Sequence, residues 1–119
     1  MAVPDFQSLM LPLLTHAARR SEETSTAEAV EALADELALT DDDLKEMLPS
    51  GTQLTFVNRV GWGATYMKKA RLLEPTRRGY YRITERGNAL LAIRPANISV
   101  QVLQEYPEFR EFQKLRVTR

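Results

Sequence analysis

FVNRVGWGATYMKKARLLEPTRRGYYRITERG, residues 56–87, decides how this chain reads. In its first part Phe56, Val57, Val60, Ala64 and Met67 recur at helical spacing and gather on one side. Asn58, Trp62, Thr65 and Lys69 fall roughly opposite, with Arg59, Tyr66 and Lys68 at the edges. The spacing predicts an amphipathic helix that begins between Thr52 and Phe56. Its outer face is polar, aromatic and basic. Gly61 and Gly63 each weaken it by about 1 kcal/mol. In the second part Leu72–Glu74 and Tyr80–Ile83 suit short strands. PTRRG between them is turn chemistry, with Gly79 free to take a positive φ. In the second strand Tyr81 and Ile83 point one way, Tyr80 and Arg82 the other.

Outward from this stretch the pattern is helical. Asp5 can cap a first helix to about Arg19, with Phe6, Leu9, Met10, Leu13, Leu14 and Ala17 as its apolar face. Pro12 within it removes a backbone hydrogen bond and is expected to bend or shorten the helix. Residues 20–25 read as a loop. Ser25 with Glu28 has the spacing of a capping box, followed by a helix carrying Val30, Leu33, Ala34 and Leu37. Thr40 opens a third helix with Asp41, Asp42 and Asp43 in its first turn, where carboxylates meet the positive end of the helix dipole. Leu44, Met47 and Leu48 form its apolar side, and Pro49-Ser50-Gly51 stops it. After the hairpin, Thr84 can cap a helix through Arg94, with Leu90, Leu91 and Ile93 apolar. Residues 98–119 read as one or two further helices.

The 119 residues carry no net charge, yet the charge is unevenly spread. Residues 1–55 hold a net −8 and residues 56–119 a net +8. Between 56 and 94 nine bases face only Glu74 and Glu85. Such a segment can present a positive face to a polyanion, or can simply attract the acidic half within one fold. There is no cysteine, so disulfides, thiolate metal sites and cysteine nucleophiles are excluded. Leu9–Leu14 is the longest apolar run, six residues including a proline, where a membrane span needs about 20. MAVPDFQ lacks the basic start and apolar stretch of a signal peptide. His16 is the one histidine and reads as an ordinary packed or surface residue. The Asp41–Asp43 run lacks the ligand spacing of a calcium loop and reads as a solvated helix start. No nucleophile, acid, base and metal ligand converge, so no catalysis by this chain and no cofactor are expected.

Helix, helix, helix, basic amphipathic helix, hairpin, helix is the layout of a winged helix-turn-helix. There one helix enters the DNA major groove and the hairpin wing touches backbone or minor groove. The expected class is mainly α (α+β), with one short β-hairpin wing and extra C-terminal helices. Residues 1–97 would form the winged-helix domain. Residues 98–119 would be a helical extension, a dimerisation element or the start of an interdomain linker.

The same stretch resembles the N-terminal domain of Mrr-type restriction endonucleases. The residues that carry the likeness are Asn58, Arg59, Gly61, Trp62, Gly63, Met67, Lys68, Lys69, Ala70, Leu72, Arg78, Gly79, Thr84 and Gly87. VPDFQSLMLPLL and YPEFREF, near the two ends, look similar too. Arg71 departs from the family, which often has glycine after Lys-Lys-Ala, and this bears on the local helix exit. The resemblance implies a cytoplasmic defence system that cuts DNA carrying foreign modification, typically methylated bases. It also implies a metal-dependent nuclease domain separate from this one.

On this reading Lys68, Lys69, Arg71, Arg77, Arg78 and Arg82 bind phosphates of double-stranded DNA, and Tyr80 lies among them. Asn58, Arg59, Thr65 and Gln53 supply base-edge contacts. Asn58 has the chemistry for a bidentate contact to adenine, and equally for a helix cap. Trp62 can stack on a base or pack against an element such as Tyr80; its two flanking glycines favour packing. The implied partners are DNA, a nuclease domain and a second copy of the chain. A transcriptional regulator of the same fold and a protein-interaction module are the rival readings.

Overall fold

The structure, a computed structural model, describes residues 3–20 and 22–117. Residues 1, 2, 21, 118 and 119 belong to the expected N-terminal start, the 20–25 loop and the C-terminal extension, and lie outside the described residues. The elements in order are α1 (Phe6–Arg20), β1 (Thr24–Ser25), α2 (Thr26–Glu36), α3 (Asp41–Lys45) and α4 (Thr55–Lys69). They continue with β2 (Leu73–Arg77), β3 (Tyr80–Ile83), α5 (Glu85–Ala92), α6 (Val100–Leu103) and α7 (Pro107–Val117). The fold is mainly helical with one small antiparallel sheet, ordered β1-β3-β2.

The helix starts follow their sequence signals. Asp5 Oδ1 accepts from the Ser8 amide at 2.8 Å. Ser25 with Glu28, and Thr40 with Asp43, form complete capping boxes. The Thr40 amide holds the Asp43 carboxyl below its ordinary range, and the Ser25 amide does so for Glu28. The Asp41–Asp43 run therefore serves the helix start. Thr84 Oγ1 accepts from the Gly87 amide at 3.1 Å.

Four expectations are corrected. Pro12 neither ends nor shortens α1, because Leu9, Met10, Leu13, Leu14 and Ala17 are buried on both sides of it and hold the helix through the defect. The 20–25 segment is not all loop: Thr24 and Ser25 pair with Tyr81 and Tyr80 as a third strand. Helix α3 stops at Lys45, since Glu46 is extended at φ −59°, ψ 131°. Met47 then bridges to Leu54 and is 45% exposed rather than packed. The 46–55 loop is closed by Leu48 N to Gln53 O (3.0 Å) and Thr55 N to Glu46 O (2.9 Å), which sets where α4 begins. Finally, α5 ends at Ala92, short of Arg94, and Ile93 is exposed.

The core lies between α1 and α4. Leu9, Leu13 and Leu14 meet Phe56, Val60, Ala64 and Met67, while Leu33 of α2 and Tyr81 of β3 belong to the same cluster. Ile98, Leu103 and Phe109 are buried in it too, so residues 98–112 are packed onto the domain as a helical extension. Gly87 allows a close approach: a Cβ there would lie 2.5 Å from the Leu72 carbonyl oxygen. Among the described residues no helix is long and apolar enough to cross a membrane.

Candidate functional site

Helix α4 buries Phe56, Val60, Gly63, Ala64 and Met67 against the core. That leaves Leu54, Asn58, Trp62, Thr65 and Lys69 as a stripe along the opposite side, at spacings of three and four. Asn58 is inside the helix and not its cap, which is Leu54. Its side-chain Nδ2 donates to Gln53 Oε1 at 3.1 Å, so the loop before α4 delivers Gln53 to the head of the stripe. Arg59 sits off the stripe. Its Nη1 donates to the Val3 and Pro4 carbonyls at 2.7 and 3.3 Å, tying the N-terminal segment to α4.

Trp62 is not packed against Tyr80. It is 46% exposed, and its ring meets Tyr66 edge-on at 6.0 Å. Tyr66 in turn touches Phe6 (5.0 Å), Phe109 (5.6 Å) and Phe112 (5.8 Å). Helix α7 thus lies beside the C-terminal end of α4 and leaves the Asn58–Trp62 end open. Lys69 Nζ sits 5.3 Å over the Phe112 ring, and Lys68 Nζ 5.4 Å over the Tyr81 ring. Tyr81 is buried, which pushes its hydroxyl pKa up to about 12.

The exit of α4 explains the departure at position 71. Arg71 takes φ +64°. Its amide bonds the Lys68 carbonyl at 3.1 Å and the Leu72 amide bonds the Met67 carbonyl at 2.9 Å, the two bonds of a Schellman cap. Glycine is the residue best suited there. Arginine keeps the geometry and adds a cation. An open groove of about 500 Å³ begins at this point, with Lys68, Lys69 and Arg71 on one wall and Glu108 and Glu111 on the other.

On the hairpin the expected cations divide. Arg77 Nε donates to Glu23 Oε2 at 2.9 Å, and its guanidinium stacks 3.8 Å from the Tyr80 ring. That bond holds the Glu23 carboxyl below its ordinary range. Arg82 pairs with Glu74, its partner across the strands, at 3.2 Å. Arg86 pairs with Glu108 at 2.7 Å. Arg78, at the turn beside Gly79 with its φ of +82°, has no carboxylate within 4.0 Å, and neither have Lys68, Lys69 and Arg71. The positive segment is therefore partly neutralised by acids distant in sequence, and four cations remain around the open stripe. Among the described residues no three histidine, aspartate or glutamate side chains come together as a metal site.

The comparisons with known proteins bear on the same region. The family described as Mrr N-terminal domain matches residues 6–92. The chain is 32% identical over 101 residues to the type IV methyl-directed restriction enzyme EcoKMrr of Escherichia coli strain K12. The match covers 85% of this chain and 33% of that protein, so the chain spans about a third of the length of the curated relative it matches. No solved structure matches it. With the family pattern extending over most of its length, from α1 to the end of α5, this chain belongs to the Mrr N-terminal domain family.

Proposed function

We propose that the chain is a winged-helix DNA-binding domain of a modification-dependent restriction system. It would bring a nuclease domain, carried outside these residues, to DNA and would not itself cut. The fold reading is supported by the order α1-β1-α2-α3-α4-β2-β3 and by the β1-β3-β2 sheet. Helix α4 enters the major groove and the β2–β3 hairpin is the wing. The observation that carries the reading is the open stripe of α4, flanked by cations without acid partners. Asn58 and Gln53, mutually hydrogen-bonded, face base edges. Thr65 stands one turn further on. Lys68, Lys69, Arg71 and Arg78 meet phosphates on either side.

Two expected contacts change. Arg59 holds the N-terminal segment and is no base reader in this arrangement. Arg77 and Arg82 reach phosphate only by exchanging Glu23 and Glu74 for it. The acidic helices α2 and α3 form the scaffold behind α4. The reading is tested by titrating a labelled duplex at several salt concentrations. Phosphate neutralisation releases counterions, so affinity should fall steeply as salt rises. Absence of binding at low salt would remove the DNA reading and favour a protein-interaction module.

A further inference from the structure

We infer that Trp62 detects a methyl group on a base edge in the major groove. The inference rests on the reading of α4 as the DNA-facing helix and names what that face selects. Trp62 stands at the middle of the open stripe, one turn beyond Asn58 and one short of Thr65. The large aromatic rings of Phe56, Tyr81 and Phe109 are fully buried, whereas the indole is left in water amid polar neighbours. Exposed apolar surface of this size marks a contact site when it recurs on one face, and Leu54 extends it by two turns.

The ring is braced rather than loose. Tyr66 meets it at an interplanar angle of 90°, and Tyr66 is itself fixed among Phe6, Phe109 and Phe112. The space beside the ring is open: a Cβ at Gly61 would meet nothing within 4 Å. A base pair can therefore approach the indole without displacing a neighbour.

Methyl groups on pyrimidine C5 and on adenine N6 project into the major groove, where apolar side chains contact them. An indole face offers a methyl apolar surface and offers an unmodified edge nothing in return. Covering one methyl is worth about fourfold in affinity, the ~0.8 kcal/mol of one buried carbon converted at 1.4 kcal/mol per tenfold. Lys68, Lys69, Arg71 and Arg78 provide binding that ignores the modification, so Trp62 acts as a discriminator on top of it.

Trp62 is the chain's single tryptophan, which makes the site directly readable. The probes are one mixed-sequence labelled duplex pool prepared unmodified, with C5-methylcytosine, or with N6-methyladenine. Anisotropy should give the wild type at least a fourfold preference for one methylated pool. At saturation with that pool, Trp62 emission should shift to the blue more than with unmodified DNA. Trp62→Ala should bind the pools alike while keeping its affinity for unmodified DNA within about twofold, and Trp62→Phe should keep part of the preference. The inference is overturned if all pools bind the wild type equally, if Trp62→Ala keeps the preference, or if the emission stays unmoved in the complex. Wild type that binds none of the pools would bring down the DNA reading and this inference with it.

Discussion

Arg77 and Glu23 stand 54 residues apart in sequence and share two hydrogen bonds, Arg77 Nε lying 3.1 Å from Oε1 and 2.9 Å from Oε2. Thr76 Oγ1 donates to the same carboxylate at 3.0 Å. The bond ties the hairpin to the segment just before β1, and it joins the acidic and basic halves of the chain. It also leaves Arg78 as the free cation of the turn. Arg78→Ala should weaken duplex binding alike across sequences and lower the salt slope by about 1. Arg77→Ala should change it less. Glu23→Gln should release Arg77, raise affinity and steepen the slope. Salt titrations of the three variants check this; a larger loss for Arg77→Ala than for Arg78→Ala would show that the ion pair opens on DNA.

Arg71 sets backbone comfort against charge. A non-glycine residue in the left-handed region costs about 1 kcal/mol or somewhat more. Arg71→Gly should accordingly raise stability by about 1 kcal/mol in urea denaturation and at the same time reduce DNA affinity. A fall in stability would mean that the side chain, not the backbone, governs the helix exit.

Phe109 tests whether the C-terminal helices belong to the domain. Its ring is fully buried and stacks with Tyr66 and Phe112. Phe109→Ala should cost about 3–5 kcal/mol, the range for truncating a buried aromatic residue. A urea midpoint unchanged from wild type would assign residues 98–119 to a linker.

His16 gives a pH dependence of known sign. Burial pushes its pKa below the ordinary 6.5, with Arg20 adding repulsion, and its Nδ1 is buried without a hydrogen-bond partner. Protonation thus favours the unfolded chain. The stability from this group is complete above about pH 6.5 and declines as pH falls below it, until the folded chain protonates as well. Melts between pH 7.5 and 5 should show this decline in the wild type and lose it in His16→Leu. An unchanged slope in the variant would place the titration elsewhere.

Much of the architecture was legible because it is encoded locally. The capping boxes at Ser25 and Thr40, the cap at Thr84 and the periodic face of α4 each lie within a few residues of sequence. What escaped depends on contacts between distant segments. Strand β1 has two residues and no periodicity of its own; it exists because β3 offers an edge. Pro12 is tolerated because the core holds α1 on both sides. The partners of Arg59 and Arg77 are 56 and 54 residues away, so charge counts within a window overstated the free cations. Trp62 was assigned inward from its flanking glycines, yet only Gly63 faces a neighbour, Leu13 Cδ1, at 3.1 Å from a built Cβ. The stripe that Trp62 shares with Asn58 and Thr65 was the better signal.

The central claim is that α4 and the hairpin turn face DNA while α2 and α3 face away. The most direct measurement is a titration of the isotope-labelled chain with unlabelled duplex, followed by amide and indole NMR shifts. The account requires the largest changes at Gln53, Asn58, Gly61, Trp62, Thr65, Lys69 and Arg78, with the α2 and α3 amides nearly still. Changes centred on α2 and α3, or confined to α7, would contradict it.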